Sequence, residues 1–223
     1  MADLRPLERL RNLLARGRFQ PATDTMPNRY PRIFRWVQSA LGEAAEVAIL
    51  SFGCSTGEEV FTLRDYFPRA RIRGTDINRA GIAECRRKLA ERDDPAIDFV
   101  CTASLADEPD ASYDAIFCMA VLRDGRLNRP GVTRSDPLLR FEDFAAAIAQ
   151  FERCLRPGGL LVVRYSNFRV CDAPAGAAFE AVLSLPLPYD DVLPIFGPDN
   201  RLIAGAEYLD AVFRKRQPIS ASA

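Results

Sequence analysis

Short apolar runs alternate with helical periodicities along most of the chain. Runs that are apolar throughout and end in turn residues are typical of strands buried on both faces of a sheet. They predict strands at 47–52, 71–76, 97–100, 113–119 and 160–165. Apolar positions spaced by three and four residues predict helices at 58–66, 78–91 (with Asn78 as N-cap) and 138–155. This alternation predicts an α/β fold, a doubly wound, mostly parallel sheet with helices on both faces.

The two ends of the chain differ from this alternating pattern. Leucines at helical spacing predict a helix over 4–16, and a second helix follows Pro31. We therefore predict a short helical N-terminal extension at 1–45 and a single domain at 46–223. Towards the C-terminus we expect one helix near 174–184 and two strands, the last at Asp210–Lys215.

Composition narrows the class of protein. The 223 residues are 48% hydrophobic and 27% charged, which is typical of one globular domain. No apolar run approaches the ~20 residues of a membrane helix, and the Arg-rich start has no secretory signal pattern. Six Cys without a close pair predict reduced thiols and a cytoplasmic location. The net charge of zero does not favour a nucleic-acid partner.

The chain has no His, which excludes more chemistry than any other feature of its composition. Catalytic triads with a His base and His-ligated metals are ruled out, and no metal site is expected. An enzyme built from this sequence must rely on carboxylates, Tyr, Arg, backbone dipoles or a reactive cofactor.

A glycine-rich turn follows the first strand, at Gly53 and Gly57, where doubly wound sheets bind nucleotides. The third glycine of a dinucleotide site is absent, and Glu58 and Glu59 at the helix start would repel a pyrophosphate. The chain contains no Gly-Lys-Ser/Thr sequence, which excludes a P-loop. The turn therefore favours an adenosine ligand without phosphate. S-adenosylmethionine (SAM) fits, since acidic neighbours such as Glu58 suit its cationic groups.

Asp76 ends the second strand, where an acidic residue accepts hydrogen bonds from ribose hydroxyls. The alternative is that Asp76 caps the helix that begins near Asn78. In the ribose interpretation, Ile77 packs against the adenine ring.

Four segments together resemble the class I SAM-dependent methyltransferases: 53–59, 75–77, 113–118 and 155–160. The first is similar to the cofactor loop of the chemotaxis-receptor methyltransferases. The resemblance implies a seven-stranded sheet whose last strand is antiparallel. Departures from these families are Ser51, where many members have an acid, Thr102, where many have Asp, and Met119-Ala120, where the chemotaxis type has Arg-Asn.

The same resemblance implies which residues bind the cofactor. The loop would hold the methionine part of SAM, Asp76 the ribose, the residues after the third strand the adenine, and the end of the fourth strand would lie beneath the ligand. The implied set is Gly53, Cys54, Ser55, Thr56, Gly57, Glu58, Asp76, Ile77, Asn78, Thr102, Ala103, Cys118 and Met119.

Candidates for the acceptor side follow the ends of strands, where open α/β sheets bind ligands. Tyr165, Arg123 and Asn167 are candidate catalytic residues, with Tyr165 as a candidate weak acid or base. The arginines that are candidates to hold a substrate carboxylate, with two parallel hydrogen bonds, are Arg123, Arg164 and Arg169. The candidate substrate-binding residues are Arg29, Arg32, Arg164, Arg169 and Asn200.

The sequence thus predicts a SAM-dependent methyltransferase with a small-molecule acceptor and S-adenosylhomocysteine as product. The alternatives are a protein carboxyl or side-chain methyltransferase of the chemotaxis type, a SAM- or nucleoside-binding module without turnover and, less favoured, a nicotinamide dehydrogenase. The first 40 residues have two candidate roles, a lid over the ligand or a contact in a homodimer.

Overall fold

The computed structural model describes residue 19 and residues 25–42, 46–187 and 193–217. Its helices are α1 (Pro31–Leu41), α2 (Glu58–Tyr66), α3 (Arg79–Ala90) and α4 (Phe141–Cys154). Its strands are β1 (Ala48–Phe52), β2 (Arg71–Asp76), β3 (Ile97–Cys101), β4 (Tyr113–Met119), β5 (Leu155–Arg164), β6 (Phe179–Ser184) and β7 (Asp210–Lys215). The helix predicted over 4–16 lies outside the described residues, and so does most of the predicted extension at 1–45.

Within the described residues, seven strands form one sheet in the order β3-β2-β1-β4-β5-β7-β6. Strands β1 to β5 pair in parallel, and β7 runs antiparallel to both β5 and β6. The predicted seven-stranded sheet with an antiparallel last strand is confirmed. Strand order reverses between β1 and β4, which opens a crevice at their carboxyl ends where such sheets bind ligands.

Two hydrophobic layers cover the sheet. One layer packs α1, α2 and α3 against side chains such as Ile49 and Phe117. The other packs α4 against side chains such as Leu50 and Ile116. Adjacent strand residues thus point to opposite faces and are buried on both, as the continuous apolar runs predict.

Local signals set several boundaries of these elements. The Oδ1 atom of Asn78 accepts hydrogen bonds from the N–H groups of Ala80 and Gly81, which confirms it as the N-cap of α3. Asp114, at the amino end of β4, accepts from the N–H of Ala48 at 2.8 Å and pairs with Arg156. Asp114 thus connects the amino ends of β1 and β4, at the edge of the sheet opposite the crevice.

The helix predicted near 174–184 is wrong. A short 3₁₀ turn, Pro174–Ala178, leads into strand β6, which pairs with β7 through Ala181 and Phe213. The alanines of this segment favour a helix locally, but the strand conformation lets its backbone pair with β7 at the edge of the sheet. Strand β5 also begins earlier than predicted, at Leu155, with an irregular register beside the Pro-Gly-Gly sequence.

Candidate active site

The loop between β1 and α2 holds two glycines in a conformation that other residues rarely adopt. Gly53 has φ +79° and Gly57 has φ +93°. A Cβ atom at position 53 would lie 2.3 Å from Cγ2 of Val121. The N–H groups of Gly53 and Cys54 donate to the Thr75 carbonyl at 2.7 and 2.9 Å. The turn is therefore closed against the end of β2 and leaves no room for a side chain at Gly53.

Asp76, the last residue of β2, orders the glycine turn. Its Oδ2 accepts from the N–H of Ser55 at 2.8 Å, and its Oδ1 accepts from the N–H of Asn78 at 2.7 Å. Each carboxylate oxygen can accept a further hydrogen bond. Asp76 is half-buried, so its carboxylate is fixed in orientation and still able to accept from a ligand hydroxyl.

Glu58, the first residue of α2, is already paired. Its carboxylate forms an ion pair with Lys88 at 2.5 Å and accepts from the Thr56 hydroxyl at 2.6 Å. Burial opposes ionisation of Glu58, but the hydrogen bonds from Lys88 and Thr56 outweigh it and lower the pKa. Lys88 therefore neutralises the Glu58 carboxylate, whereas the sequence alone predicted that the cationic groups of SAM would do so.

Glu59 is the acidic residue of the turn whose importance the sequence analysis missed. Its Oε1 accepts from the Ser51 hydroxyl at 2.7 Å, so an acidic group stands beside the position where many class I members carry one. Burial raises the pKa of Glu59 to about 7 from an ordinary 4.5, and the hydrogen bond from Ser51 offsets this only in part. The sequence feature that could have identified Glu59 is its position in the first turn of α2, two residues after Gly57.

Tyr30 covers the crevice from the start of α1. Its ring centroid lies 6.1 Å from that of Tyr165, and Arg29 lies over its ring at 5.5 Å. Among the described residues its buried hydroxyl has no hydrogen-bond partner. Burial raises the pKa of Tyr30 to about 12, and the charges of Arg29, Glu59 and Arg123 all act on this hydroxyl. The glycine turn and the ends of β4 and β5 therefore meet at Tyr30.

Two arginines flank the ring of Tyr165, at the end of β5. The guanidinium carbons of Arg123 and Arg164 both lie 5.6 Å from its centroid. Arg164 donates to the carbonyls of Leu185 and Pro186 at 2.8 and 2.6 Å, and burial lowers its pKa. The Nε atom of Arg123 is buried and has no hydrogen-bond partner in the described part of the chain.

Backbone strain marks the same edge of the sheet. Ala120 follows β4 with φ +58°, and Tyr165 follows β5 with φ +56°. The N–H of Ala120 donates to the carbonyl of Arg164 at 2.8 Å, which holds the two strand ends together. Such conformations of non-glycine residues are often found at functional sites.

A sequence model of a family described as a methyltransferase domain matches residues 50–161. This match spans β1 to β5, including the glycine turn and Asp76. The chain belongs to the methyltransferase domain family. The resemblance to class I SAM-dependent methyltransferases is thereby confirmed at the level of the family, and the similarity of the loop to the chemotaxis type stays a prediction.

Curated relatives of this methyltransferase domain are named trans-aconitate 2-methyltransferase. Two such proteins, from Acidovorax sp. (strain JS42) and Acidovorax ebreus (strain TPSY), are each 30% identical to it over 117 residues. The alignment covers 52% of this chain and 37% of either relative. The match is thus confined to about a third of the relatives' length.

Solved structures similar to the methyltransferase domain include phosphoethanolamine N-methyltransferase 2 of Haemonchus contortus, with a TM-score of 0.47 and 14% identity over 63% of this chain and 29% of that one. Geranyl diphosphate C-methyltransferase of Streptomyces coelicolor A3(2) has a TM-score of 0.44 and 16% identity, over 60% of this chain and 45% of that one.

The remaining cofactor candidates lie at the carboxyl ends of β2, β3 and β4. Thr102 and Ala103 follow β3, and the Thr102 hydroxyl is engaged in a local turn with Ser104. Cys118 and Met119 end β4, where burial raises the pKa of the Cys118 thiol well above its usual range. Half-buried Ile77 follows β2. Their roles towards a ligand remain predictions.

Several acceptor candidates have partners within the fold. Asn167 is fully buried and bridges the N–H of Asp124 and the carbonyl of Pro194. Arg169 is paired with Asp172 at 2.8 Å. The Oδ1 of Asn200 accepts from the N–H of Phe141 and so caps the start of α4. Exposed Arg32 projects from α1. The structure thus brings together Tyr30, Arg123 and Tyr165, while Asn167, Arg169 and Asn200 have partners elsewhere in the fold.

No described helix is long and apolar enough to cross a membrane. The described part of the chain also contains no group of three or more Cys, Asp or Glu side chains placed to hold a metal ion.

Proposed function

We propose that this domain binds SAM in the crevice at the carboxyl ends of β1 and β4 and transfers its methyl group to a small-molecule acceptor. In this proposal Asp76 binds the ribose and Glu59 binds the cationic amino group of the methionine part. The name of the curated relatives, trans-aconitate 2-methyltransferase, supports an acceptor of low molecular weight.

The observation that carries the proposal is the Glu59 carboxyl group. It lies beside the glycine turn, half-buried, and no nearby positive charge offsets its burial among the described residues. A carboxylate left in this state at a helix N-terminus repels a phosphate and favours a ligand that brings an ammonium group. The left-handed turn at Gly53 supplies the close approach of backbone that a cofactor needs.

The residues of the site fit the chemistry of methyl transfer. When bound, SAM would supply a methyl group on a cationic sulfur; a lone pair of the acceptor would form the new bond to the methyl carbon, in line, as the carbon–sulfur bond breaks and its electron pair stays on sulfur. Asp76 and Glu59 would hold the ribose and the amino group of the ligand, so that orientation supplies much of the rate. Tyr30 and Tyr165 keep water from the crevice, and a dry site favours a step in which charge is neutralised. This scheme requires no His.

The test is calorimetric titration with two ligands that differ in one part. S-adenosylhomocysteine carries the amino-acid end, and 5′-methylthioadenosine lacks it. Glu59→Gln is expected to weaken binding of S-adenosylhomocysteine about 10- to 100-fold, since it removes a charged hydrogen bond, and to leave methylthioadenosine unchanged. Asp76→Asn is expected to weaken both ligands, because both carry the ribose.

Glu142→Gln is the matched control, since Glu142 is also the second residue of a helix but is exposed on α4. It should bind both ligands as the wild type does. Failure of the folded wild type to bind S-adenosylhomocysteine would refute the proposal. Binding without transfer from SAM to any small acceptor would favour the module without turnover, and transfer to a protein carboxylate would favour the chemotaxis type.

A further inference from the structure

Tyr30 and Arg123 share an unusual property. Each has a buried hydrogen-bond donor, the Tyr30 hydroxyl and the Arg123 Nε–H, without an acceptor among the described residues. A buried donor that has lost water and gained no partner destabilises the unliganded fold. Both donors lie in the same crevice, because the Arg123 charge acts on the Tyr30 hydroxyl and both residues lie against Tyr165.

Two arginines lie beside these donors, and the negative charge of Glu59 also acts on the Tyr30 hydroxyl. Arg123 and Arg164 flank Tyr165, and neither forms an ion pair with a carboxylate in the part of the chain that the structure describes. Arg164 is satisfied by three backbone carbonyls, of Leu185, Pro186 and Leu209. Within the described residues Arg123 has no such set of carbonyls, so its guanidinium is available to bind an anion.

We propose that Arg123 and Tyr30 form a binding site for a carboxylate group of the acceptor, an inference that rests on the proposed function. The guanidinium of Arg123 gives the charge and planar donors that a carboxylate prefers, and the Tyr30 hydroxyl donates one further hydrogen bond. A protonated hydroxyl is assured near neutral pH, since the pKa of Tyr30 is raised to about 12. The acceptor is therefore a small organic acid.

A carboxylate at this site has two possible sources, the acceptor and the amino-acid end of the cofactor. The position of Arg123 favours the acceptor. It follows β4 and packs on Tyr165 at the end of β5, whereas the glycine turn that would hold the amino-acid end lies between β1 and α2. Variants of Arg123 should therefore lower the affinity for the acceptor and leave the affinity for the cofactor unchanged.

The test uses protein saturated with S-adenosylhomocysteine, titrated with succinate, glutarate and tricarballylate and with their uncharged amides. At least one acid is expected to bind, and its amide is not. Arg123→Gln should weaken that acid at least tenfold, and Tyr30→Phe should weaken it severalfold. Neither variant should change the affinity for S-adenosylhomocysteine or methylthioadenosine. Arg129→Gln, an exposed residue of the same loop, is the matched control and should bind all ligands as the wild type does.

Three results would overturn the inference. The first is a wild type that binds S-adenosylhomocysteine but none of the acids in preference to its amide. The second is an unchanged affinity for the acid in folded Arg123→Gln. The third is a loss of S-adenosylhomocysteine binding in Arg123→Gln with methylthioadenosine unaffected, which would assign the site to the cofactor's own carboxylate. A wild type that does not bind S-adenosylhomocysteine at all would instead refute the proposed function.

Discussion

The Glu59 carboxyl group links ligand binding to pH at the scale of a single residue. Its pKa of about 7 in the folded protein lies above the ordinary 4.5, because burial disfavours the charged form. A bound ammonium group favours the ionised form. Ligand binding should therefore release a proton from Glu59 at acidic pH and require no such release at pH 8.

We expect the affinity for S-adenosylhomocysteine to be about tenfold lower at pH 6 than at pH 8, because a group with a pKa near 7 is about nine-tenths protonated at pH 6. Calorimetric titration at pH 6, 7 and 8 measures this dependence of the affinity on pH. Glu59→Gln should remove it. An equal affinity of the wild type at all three values would show that Glu59 does not receive the ammonium group.

The stability of the unliganded protein should change in the opposite sense. The folded state holds the Glu59 proton more tightly than the unfolded chain, so stability is greatest below about pH 4.5 for this group and is lost as pH rises towards 7. Other carboxylates add their own dependence. The difference between wild type and Glu59→Gln in urea unfolding at pH 5.5 and pH 8 isolates this contribution, and Glu59→Gln should be relatively more stable at pH 8.

At the scale of elements, local sequence is sufficient where a segment's own pattern agrees with its surroundings. Strand β4 and helix α2 match their predicted bounds, since a buried apolar run and a helical periodicity that follows a glycine turn are both local signals. The segment 174–184 failed because its partner, β7, lies about thirty residues further along the chain. The pairing of Glu58 with Lys88 was missed for the same reason, since the two residues lie thirty positions apart.

The residues of the candidate site likewise fall into two groups, those that local sequence predicts and those that only the packing of distant segments brings into place. The turn at Gly53 and the acid at Asp76 are visible in sequence because each occupies a fixed place after a strand. Tyr30 precedes β1 and reaches the crevice only through the packing of α1 on the sheet. Its unpartnered hydroxyl is a property of the three-dimensional arrangement, which no sequence pattern encodes.

The glycine turn offers a test of how two elements approach each other. Gly53→Ala places a Cβ atom 2.3 Å from Val121 and forces a side chain into φ +79°. We expect a loss of about 1–3 kcal/mol in the free energy of unfolding. Val121→Ala in the same chain should recover part of it, because the clash is removed and the strain is not. Gly125→Ala, with open space around its Cβ position, is the control. Equal stability of Gly53→Ala and Gly125→Ala in urea titration would contradict the argument.

At the scale of the whole molecule, the sheet consists of a parallel part, β1 to β5, and an antiparallel part, β6 and β7. Arg164 joins them at the carboxyl edge. Its side chain is 5% exposed and donates to carbonyls that follow β6, at Leu185 and Pro186, and precede β7, at Leu209. A guanidinium can satisfy several carbonyls at once because its donors diverge in one plane.

Arg164→Met keeps much of the apolar stem but leaves these carbonyls without a donor, so we expect a loss of about 1–3 kcal/mol in the free energy of unfolding. Arg214→Met, on an exposed position of β7, is the matched control and should change stability by less than about 0.5 kcal/mol. Hydrogen exchange gives a second readout, since amide protection should fall first in β6 and β7 and remain high in β1 and β4. Equal stability of the two variants, or a uniform loss of protection across the sheet, would mean that Arg164 does not hold the two parts together.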